Sequence, residues 1–292
     1  MLFLIVGGLG MGVRAITRGE SPPADTATSD ADDSTSTETH DTTPDSVDPS
    51  PDSAISEDSG SSDTTVATTG ESQPPTADHK LRLFIVGDSL AGGLGPVLTV
   101  RVEDTGLVEA DTLYRVSSGL TRPDFYDWPA VLDRTIPLAQ PDVVVAQFGG
   151  NDAQAITVEG QGYSPGTPEF AEEYASRVGE VMDFLRADGR TLIWVGLPNA
   201  PRQEFRERLQ IVVGIQKAEA DKRPDVVYVD SWAIFTGRDG GFASYVLDPS
   251  DGELKDVRAK DEFHLNATGE SILALYVGDK VLEEVRERGG DV

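Results

Sequence analysis

The amino-acid sequence predicts an α/β fold of three layers, in which a five-stranded parallel sheet lies between helices in a flavodoxin-like arrangement. From residue 81 onward, short β-branched runs alternate with longer amphipathic segments, which is typical of β/α units around a parallel sheet. Residues 142–148 and 191–196 are almost continuously apolar, as expected of strands that are covered on both faces. About 210 residues follow position 80, a length that suits one domain of this kind.

The strands and helices of this domain are predicted to alternate along the chain. Strands are expected at residues 82–86, 112–116, 142–148, 191–196 and 226–230. Helices are expected at residues 91–104, 128–139, 168–187, 203–222 and 268–287. Asp127 and Thr167 stand at N-cap positions, and Pro129 follows in a first turn, as is common at helix starts. Residues 233–261 are rich in Gly and Asp and are expected to form a long loop before the last helix.

The region before the domain has a different composition. Residues 19–79 consist mainly of Ser, Thr, Asp and Pro, and they contain fifteen acidic residues and no Lys or Arg. Such a segment buries too little apolar surface to offset the entropy of ordering, so we expect a disordered acidic linker, or stalk. The folded domain is then expected at residues 80–289.

The charge and the absence of cysteine limit the possible functions. The net charge is −27, and the residues from position 81 onward contribute 36 acidic against 21 basic side chains. Such a domain repels phosphate backbones, so nucleic acid is not an expected partner. Because the chain has no cysteine, disulfides, thiolate catalysis and Cys-ligated metal are excluded.

The chain begins with a segment, residues 1–18, whose first thirteen residues are apolar. As a helix this run would span about 20 Å, less than a hydrocarbon core of about 30 Å. We expect part of a membrane anchor that starts further upstream, or the apolar part of a signal sequence, with the domain outside the cytoplasm in the cell envelope. Arg14 and Arg18 oppose this orientation, because basic residues after a span favour the cytoplasmic side. A wrongly assigned start without a membrane role is the alternative.

Polar residues at strand ends are the candidates for function, because ligands of open α/β sheets bind at the carboxyl ends of the strands. The first predicted strand is followed by Gly87, Asp88 and Ser89 and then by a Gly-rich helix start. A serine at this corner would expose its hydroxyl near a helix N-terminus, which favours developing negative charge. The alternative is that Ser89 only caps the helix.

Two further strand ends offer hydrogen-bond donors. Gly119 follows the second predicted strand, and a glycine lets the backbone N–H approach a ligand closely. Asn151 follows the third, and an Asn amide can donate to the oxyanion of an acyl-transfer reaction. In both places an ordinary turn is the alternative interpretation.

A histidine stands just before the last predicted helix. His264 is the only histidine of the predicted domain, since His40 and His79 lie in the expected linker or at its edge. If an imidazole activates a serine here, His264 is the base. Asp261 lies three residues earlier and can reach the ring across a turn, orient it and stabilise its charged form. Taken alone, this spacing is also consistent with a surface pair.

Together, Ser89, Gly119, Asn151 and His264 resemble the Ser, Gly, Asn and His after which the SGNH hydrolase family, also called the GDSL family, is named. Their order and their strand-end positions match that family from the first strand to the last helix. The resemblance implies the SGNH hydrolase fold, with Ser89 as nucleophile, His264 as the general base and Asp261 as the acid that orients His264. It also implies an oxyanion hole formed by the Ser89 N–H, the Gly119 N–H and the Asn151 amide.

Residues 118–128 further resemble an envelope-associated bacterial subgroup of this family whose function is unknown. That subgroup has Gly where this chain has Glu262, next to Asp261. An additional acid at this position would either raise the basicity of His264 or compete for it.

The implied activity is that of a serine esterase that acts by acyl transfer on O-acyl groups of envelope glycans or on small esters, without a metal or organic cofactor. A polysaccharide O-acyltransferase and a non-catalytic glycan-binding module remain as alternatives. Asp88, Tyr126, Trp128 and Asp152 are further candidates for substrate contact, the aromatic ones by stacking on a sugar, with a core position as the other interpretation.

Overall fold

The computed structural model describes residues 73–292. The expected N-terminal anchor at residues 1–18 and the expected linker up to residue 72 lie outside the described residues. Residues 73–79 contain no helix or strand, and Pro74 and Pro75 lie beside Gly289 and Gly290 near the other end of the chain. None of the helices formed by residues 73–292 is long and apolar enough to span a bilayer.

The helices and strands alternate as the sequence predicts. In chain order, the strands are β1 (Leu81–Gly87), β2 (Val108–Tyr114), β3 (Val143–Gln147), β4 (Ile156–Val158), β5 (Gln161–Tyr163), β6 (Thr191–Val195), β7 (Val226–Val229), β8 (Tyr245–Leu247) and β9 (Leu254–Asp256). The helices are α1 (Ser89–Glu103), α2 (Trp128–Ala139), α3 (Pro168–Leu185), α4 (Gln203–Asp221), α5 (Ser231–Ile234) and α6 (Ala267–Glu287). Five strands form one parallel sheet in the order β2-β1-β3-β6-β7, which confirms the predicted sheet.

Two helical layers cover the sheet, because successive side chains of a strand face opposite sides. Leu83 and Ile85 of β1 pack with α1 and α6, whereas Phe84 and Val86 pack with α2, α3 and α4. The central strand β3 is buried at all five positions, which agrees with its apolar sequence. This three-layer arrangement confirms the fold class and places the carboxyl ends of β1, β2 and β3 side by side.

The structure differs from the sequence expectation in three places. Strand β2 begins at Val108, four residues earlier than predicted, because it lies at an edge of the sheet and its exposed positions are polar, including Glu109 and Asp111. Residues 233–261, expected to be a loop, contain the antiparallel hairpin of β8 and β9. Strands β4 and β5 form a second hairpin that the sequence pattern did not reveal.

Candidate active site

The corner between β1 and α1 places Ser89 at the carboxyl edge of the sheet. A Cβ at Gly87 would overlap the backbone carbonyl of Gln147 in β3, so this close approach of two strands requires glycine. The N-cap of α1 is Asp88, whose side chain accepts a hydrogen bond from the Leu90 N–H at 2.9 Å. Ser89 is therefore the first helical residue and not the cap, and its hydroxyl remains available for another partner.

Ser89, His264 and Asp261 form a continuous row of hydrogen bonds. The Ser89 Oγ lies 2.8 Å from His264 Nε2, and His264 Nδ1 lies 2.6 Å from Asp261 Oδ2. The other carboxylate oxygen of Asp261 accepts the backbone N–H groups of Phe263 and His264 at 3.1 and 3.0 Å. An ionised Asp261 fixes Nδ1 as the donor, which leaves Nε2 free to accept the serine proton. This is the arrangement of a Ser-His-Asp triad.

Hydrogen bonds stabilise the ionised form of Asp261. Partial burial raises the pKa of this carboxyl, but the hydrogen bonds from the side chain and backbone of His264 outweigh it, so that the pKa lies below its usual value. Glu262 does not compete for the imidazole, since Nδ1 bonds to Asp261. The backbone of Glu262 has a φ of 63°, in the left-handed region where glycine is least strained.

A buried arginine holds the histidine loop in place. The guanidinium of Arg258 donates to the backbone carbonyls of Ala243, Phe263 and Phe235 at 3.1, 3.0 and 3.3 Å. Burial lowers its pKa to about 10, so it stays charged at neutral pH. Arg258 thus ties the loop before His264 to the segment between α5 and β8. The sequence carried no signal for this role, because a single arginine in a polar segment is ordinary.

The candidate oxyanion donors lie at the neighbouring strand ends. The Asn151 side-chain amide donates to the Ser118 carbonyl at 2.9 Å, which holds Asn151 beside the loop that carries Gly119 and leaves its second N–H available. The backbone N–H groups of Ser89 and Gly119 make no hydrogen bond within residues 73–292. Two backbone donors and one side-chain amide are therefore free after the carboxyl ends of the neighbouring strands β1, β2 and β3.

Asp88 connects two of these strand ends. Its buried carboxylate accepts the Leu90 N–H and also the N–H groups of Gly149 and Gly150, at 3.0 and 2.8 Å. Burial raises its pKa to about 7, although the three backbone donors favour the ionised form. Asp88 thereby fixes the serine corner relative to the loop that carries Asn151.

Three of the side chains expected to contact substrate are fully buried. They are Asp88, Trp128 and Asp152. This corrects the expectation, because a side chain without accessible surface offers no face to a ligand from solvent. Trp128 instead donates from Nε1 to the Ser118 hydroxyl at 2.9 Å and supports the loop that carries Gly119. Tyr126 is half-buried with its ring 4.9 Å from that of Trp128, and it stays a candidate for substrate contact.

Solved structures of other proteins share the fold of this chain. A proposed acylhydrolase from Bacteroides fragilis has a TM-score of 0.51 and 15% identity, over 74% of this chain and 93% of its own. An α/β hydrolase from the metagenome of Lake Arreo has a TM-score of 0.50 and 15% identity, over 68% of this chain and 95% of its own. A GDSL-like lipase from Bacteroides thetaiotaomicron has a TM-score of 0.49 and 14% identity, over 72% and 91%. The fold is that of the SGNH hydrolases.

The sequence comparison adds the family. Residues 82–280 match the family described as "Protein of unknown function (DUF459)", and the chain belongs to this family. No curated protein matches the sequence. The structural likeness concerns the fold at these identities, so the activity is inferred from the site.

A buried acid lies one turn beyond the serine corner. The Glu270 carboxyl of α6 packs against Gly93 of α1, where a Cβ would overlap it. Its Oε2 finds no hydrogen-bond partner among residues 73–292, and burial raises its pKa from 4.5 to about 8. The unfolded chain releases this proton at lower pH than the folded chain. The stability that Glu270 contributes is therefore complete below pH 4.5 and is lost as the pH rises to about 8.

We expect Glu270→Gln to remove most of this pH dependence. Between pH 4.5 and pH 8, the free energy of unfolding of the variant should rise by roughly 4 kcal/mol relative to that of the wild type. Urea unfolding at several pH values measures the gain. Glu109→Gln, at an exposed position of β2, is the matched control and should follow the wild type. Parallel pH profiles of Glu270→Gln and wild type would contradict the prediction.

Proposed function

We propose that this protein is a serine esterase that acts by acyl transfer, with Ser89 as the nucleophile. The observation that carries the proposal is the row of hydrogen bonds from Ser89 through His264 to Asp261, at the sheet edge where ligands of such folds bind. The free N–H groups beside this row provide the second requirement of acyl transfer, a site for the oxyanion. The SGNH hydrolase fold supports the same reaction class.

In the proposed reaction, His264 Nε2 takes the proton of the Ser89 hydroxyl while Oγ attacks the ester carbonyl carbon. The tetrahedral oxyanion accepts hydrogen bonds from the N–H groups of Ser89 and Gly119 and from the Asn151 amide. Asp261 stabilises the imidazolium, which then protonates the departing alcohol. Water attacks the acyl-serine with His264 again as base, and this step releases the acid and restores the serine.

For the substrate we propose an O-acyl group on an envelope glycan or a small ester. The side chains of His264 and Asp261 are 36% and 54% exposed, so the site is open enough for a polymer to approach. Phe125, 46% exposed, and the half-buried Tyr126 lie on the segment that joins the Gly119 loop to α2, and their rings offer a surface for a sugar. The acidic composition of residues 19–79 supports a domain held at a distance from the membrane in the envelope.

A fluorophosphonate probe tests the proposed nucleophile directly. We expect covalent labelling of the wild-type protein on the peptide that contains Ser89, because the probe reacts with serines activated by a neighbouring base. Labelling should disappear in Ser89→Ala and persist in Ser271→Ala, a control on the exposed face of α6. Mass spectrometry of the labelled peptide provides the readout.

Hydrolysis assays on acetyl and longer acyl esters and on acetylated glycans then define the substrate. Free acid as the product supports the esterase. Transfer of the acyl group to an added oligosaccharide would instead identify an acyltransferase. Glycan binding without labelling or turnover would refute the proposal in favour of a binding module.

A further inference from the structure

The buried carboxylate of Asp152 organises the loop that carries Gly119. It accepts the backbone N–H groups of Leu120 and Thr121 at 3.1 and 3.0 Å and the Thr121 hydroxyl at 2.9 Å. A fourth hydrogen bond comes from the Tyr174 hydroxyl at 2.9 Å. All four donors are neutral, and three of them belong to the two residues that follow Gly119. The position of this carboxylate therefore sets the path of the loop.

Gly119 is in direct contact with the same carboxylate. A Cβ at this position would overlap Asp152 Oδ1, so only glycine allows the backbone to lie against the acid. Ser117, two residues before Gly119, has a φ of 61°, and the hydroxyl of Ser118 accepts a hydrogen bond from the Trp128 N–H. A small displacement of the Asp152 side chain consequently moves the Gly119 N–H, the group proposed to donate to the oxyanion.

Tyr174 of α3 holds the carboxylate from the opposite side. Gln216 of α4 accepts the Trp194 N–H on its Oε1, so its Nε2 faces Tyr174 and donates to the hydroxyl oxygen at 3.0 Å. The hydroxyl hydrogen of Tyr174 is thus directed to Asp152. The Gln216 Nε2 also donates to the Phe148 carbonyl at 2.8 Å, at the start of the loop that leads to Asn151. One buried chain of hydrogen bonds therefore connects the loop that carries Gly119 with the loop that carries Asn151.

The loss of one donor matters because the Asp152 carboxylate is fully buried, away from bulk solvent. Burial raises the pKa of Asp152, and the hydrogen bonds from Thr121, Leu120 and Tyr174 oppose this effect. A carboxylate that loses the Tyr174 hydrogen either moves toward its remaining donors or takes up a proton. A protonated oxygen no longer accepts a backbone N–H, so the loop shifts in both cases.

We infer that Tyr174 is a positioning residue, which through Asp152 sets the place of the Gly119 N–H for the oxyanion. The inference rests on the proposed esterase function. Removing a complete oxyanion donor typically costs a factor of 10² to 10³ in kcat. A displaced donor retains part of its effect, so a smaller loss, with little change in ground-state binding, is expected when Tyr174 lacks its hydroxyl.

The test compares Tyr174→Phe with Tyr228→Phe. The Tyr228 hydroxyl is also buried but has no hydrogen-bond partner within residues 73–292, so its removal breaks no bond and should leave kcat unchanged. For Tyr174→Phe we expect kcat to fall by roughly 10 to 100-fold, with KM within about twofold of the wild type. The fluorophosphonate probe is used to count the active sites in each sample, and kcat is calculated per labelled site. A variant that folds less completely then has fewer sites but not a lower kcat.

Thr121→Val provides a second variant in case Tyr174→Phe does not fold. It removes another donor from Asp152 at nearly constant volume, and a fall in kcat per active site supports the inference. Values of kcat per site in the folded variants that equal those of Tyr228→Phe would overturn it. A wild-type protein without Ser89-dependent hydrolysis would refute the proposed function, and the inference with it, before any of these variants is compared.

Discussion

Ser89→Ala is expected to lower kcat/KM for ester hydrolysis by a factor of roughly 10⁴ or more, as the loss of the nucleophile does in known serine hydrolases. Without Oγ no acyl-enzyme forms, and only the oxyanion donors and substrate binding remain to assist the attack of water. The fold should persist, because the Asp88 cap of α1 does not involve the Ser89 side chain. Hydrolysis of an activated acetyl ester and thermal unfolding measure the two expectations.

The control for this variant is Ser271→Ala, which changes a hydroxyl that bonds only to a carbonyl within its own helix. Its turnover should equal that of the wild type. Retention of more than about a tenth of wild-type turnover by Ser89→Ala would identify a different nucleophile. Loss of the cooperative thermal transition in Ser89→Ala would mean that the serine corner is required for folding and that activity alone cannot assign the role.

Much of the fold was predictable because its physical causes are local in sequence. Strands buried on both faces are apolar throughout, and the helices α2 and α3 begin at Asp and Thr caps, so periodicity and end residues identify them. The predicted start of the edge strand β2 was too late in the sequence, because one side of this strand is solvated and its sequence is polar. The two hairpins were not predicted, because strands of three residues are too short to show an alternation of apolar and polar residues.

The residues of the candidate site also fall into a group that the sequence predicted and a group that it did not. Ser89, Gly119 and Asn151 could be proposed because parallel strands bring their carboxyl ends to one edge, and His264 because no other histidine was available in the domain. Arg258 and Tyr174 act on backbone groups or buried acids far away in sequence. Their roles depend on distances across the core, which no spacing encodes.

The wrong predictions of substrate contact concern residues that are buried in the structure. Trp128 and Asp88 stand next to the site in sequence, which suggested contact with substrate. In the structure both donate to or accept from the loops that carry the site. Proximity in sequence to a reactive residue therefore indicates support of the backbone as readily as contact with a ligand, and only burial separates the two.

The second large effect is expected at His264. His264→Ala should abolish nearly all hydrolysis, since no other base lies within hydrogen-bond distance of Ser89 Oγ among residues 73–292. In the wild type, kcat/KM should rise with pH, because only the neutral imidazole accepts the serine proton. The pKa of Asp261 lies below its usual value, so this group stays ionised throughout the relevant range and stabilises the imidazolium.

Asp261→Asn tests the same assignment with the imidazole in place. The variant should lose about three to four orders of magnitude in kcat, because the amide neither orients the ring in the productive tautomer nor stabilises its charge. For the same electrostatic reason, the rise of the pH–rate profile should move to lower pH. His79→Ala, at an exposed position distant in sequence from the site, is the control and should keep the wild-type profile.

A pH–rate profile decides between a catalytic His264 and an incidental contact. If the wild-type kcat/KM is flat from pH 5 to 9 while the chemical step limits the rate, no imidazole titrates in the mechanism. The hydrogen bond between Ser89 and His264 would then be structural. A profile that rises in the wild type, shifts to lower pH in Asp261→Asn and disappears with His264→Ala requires instead that the imidazole carries the proton of Ser89, because each change acts on a different atom of the same row.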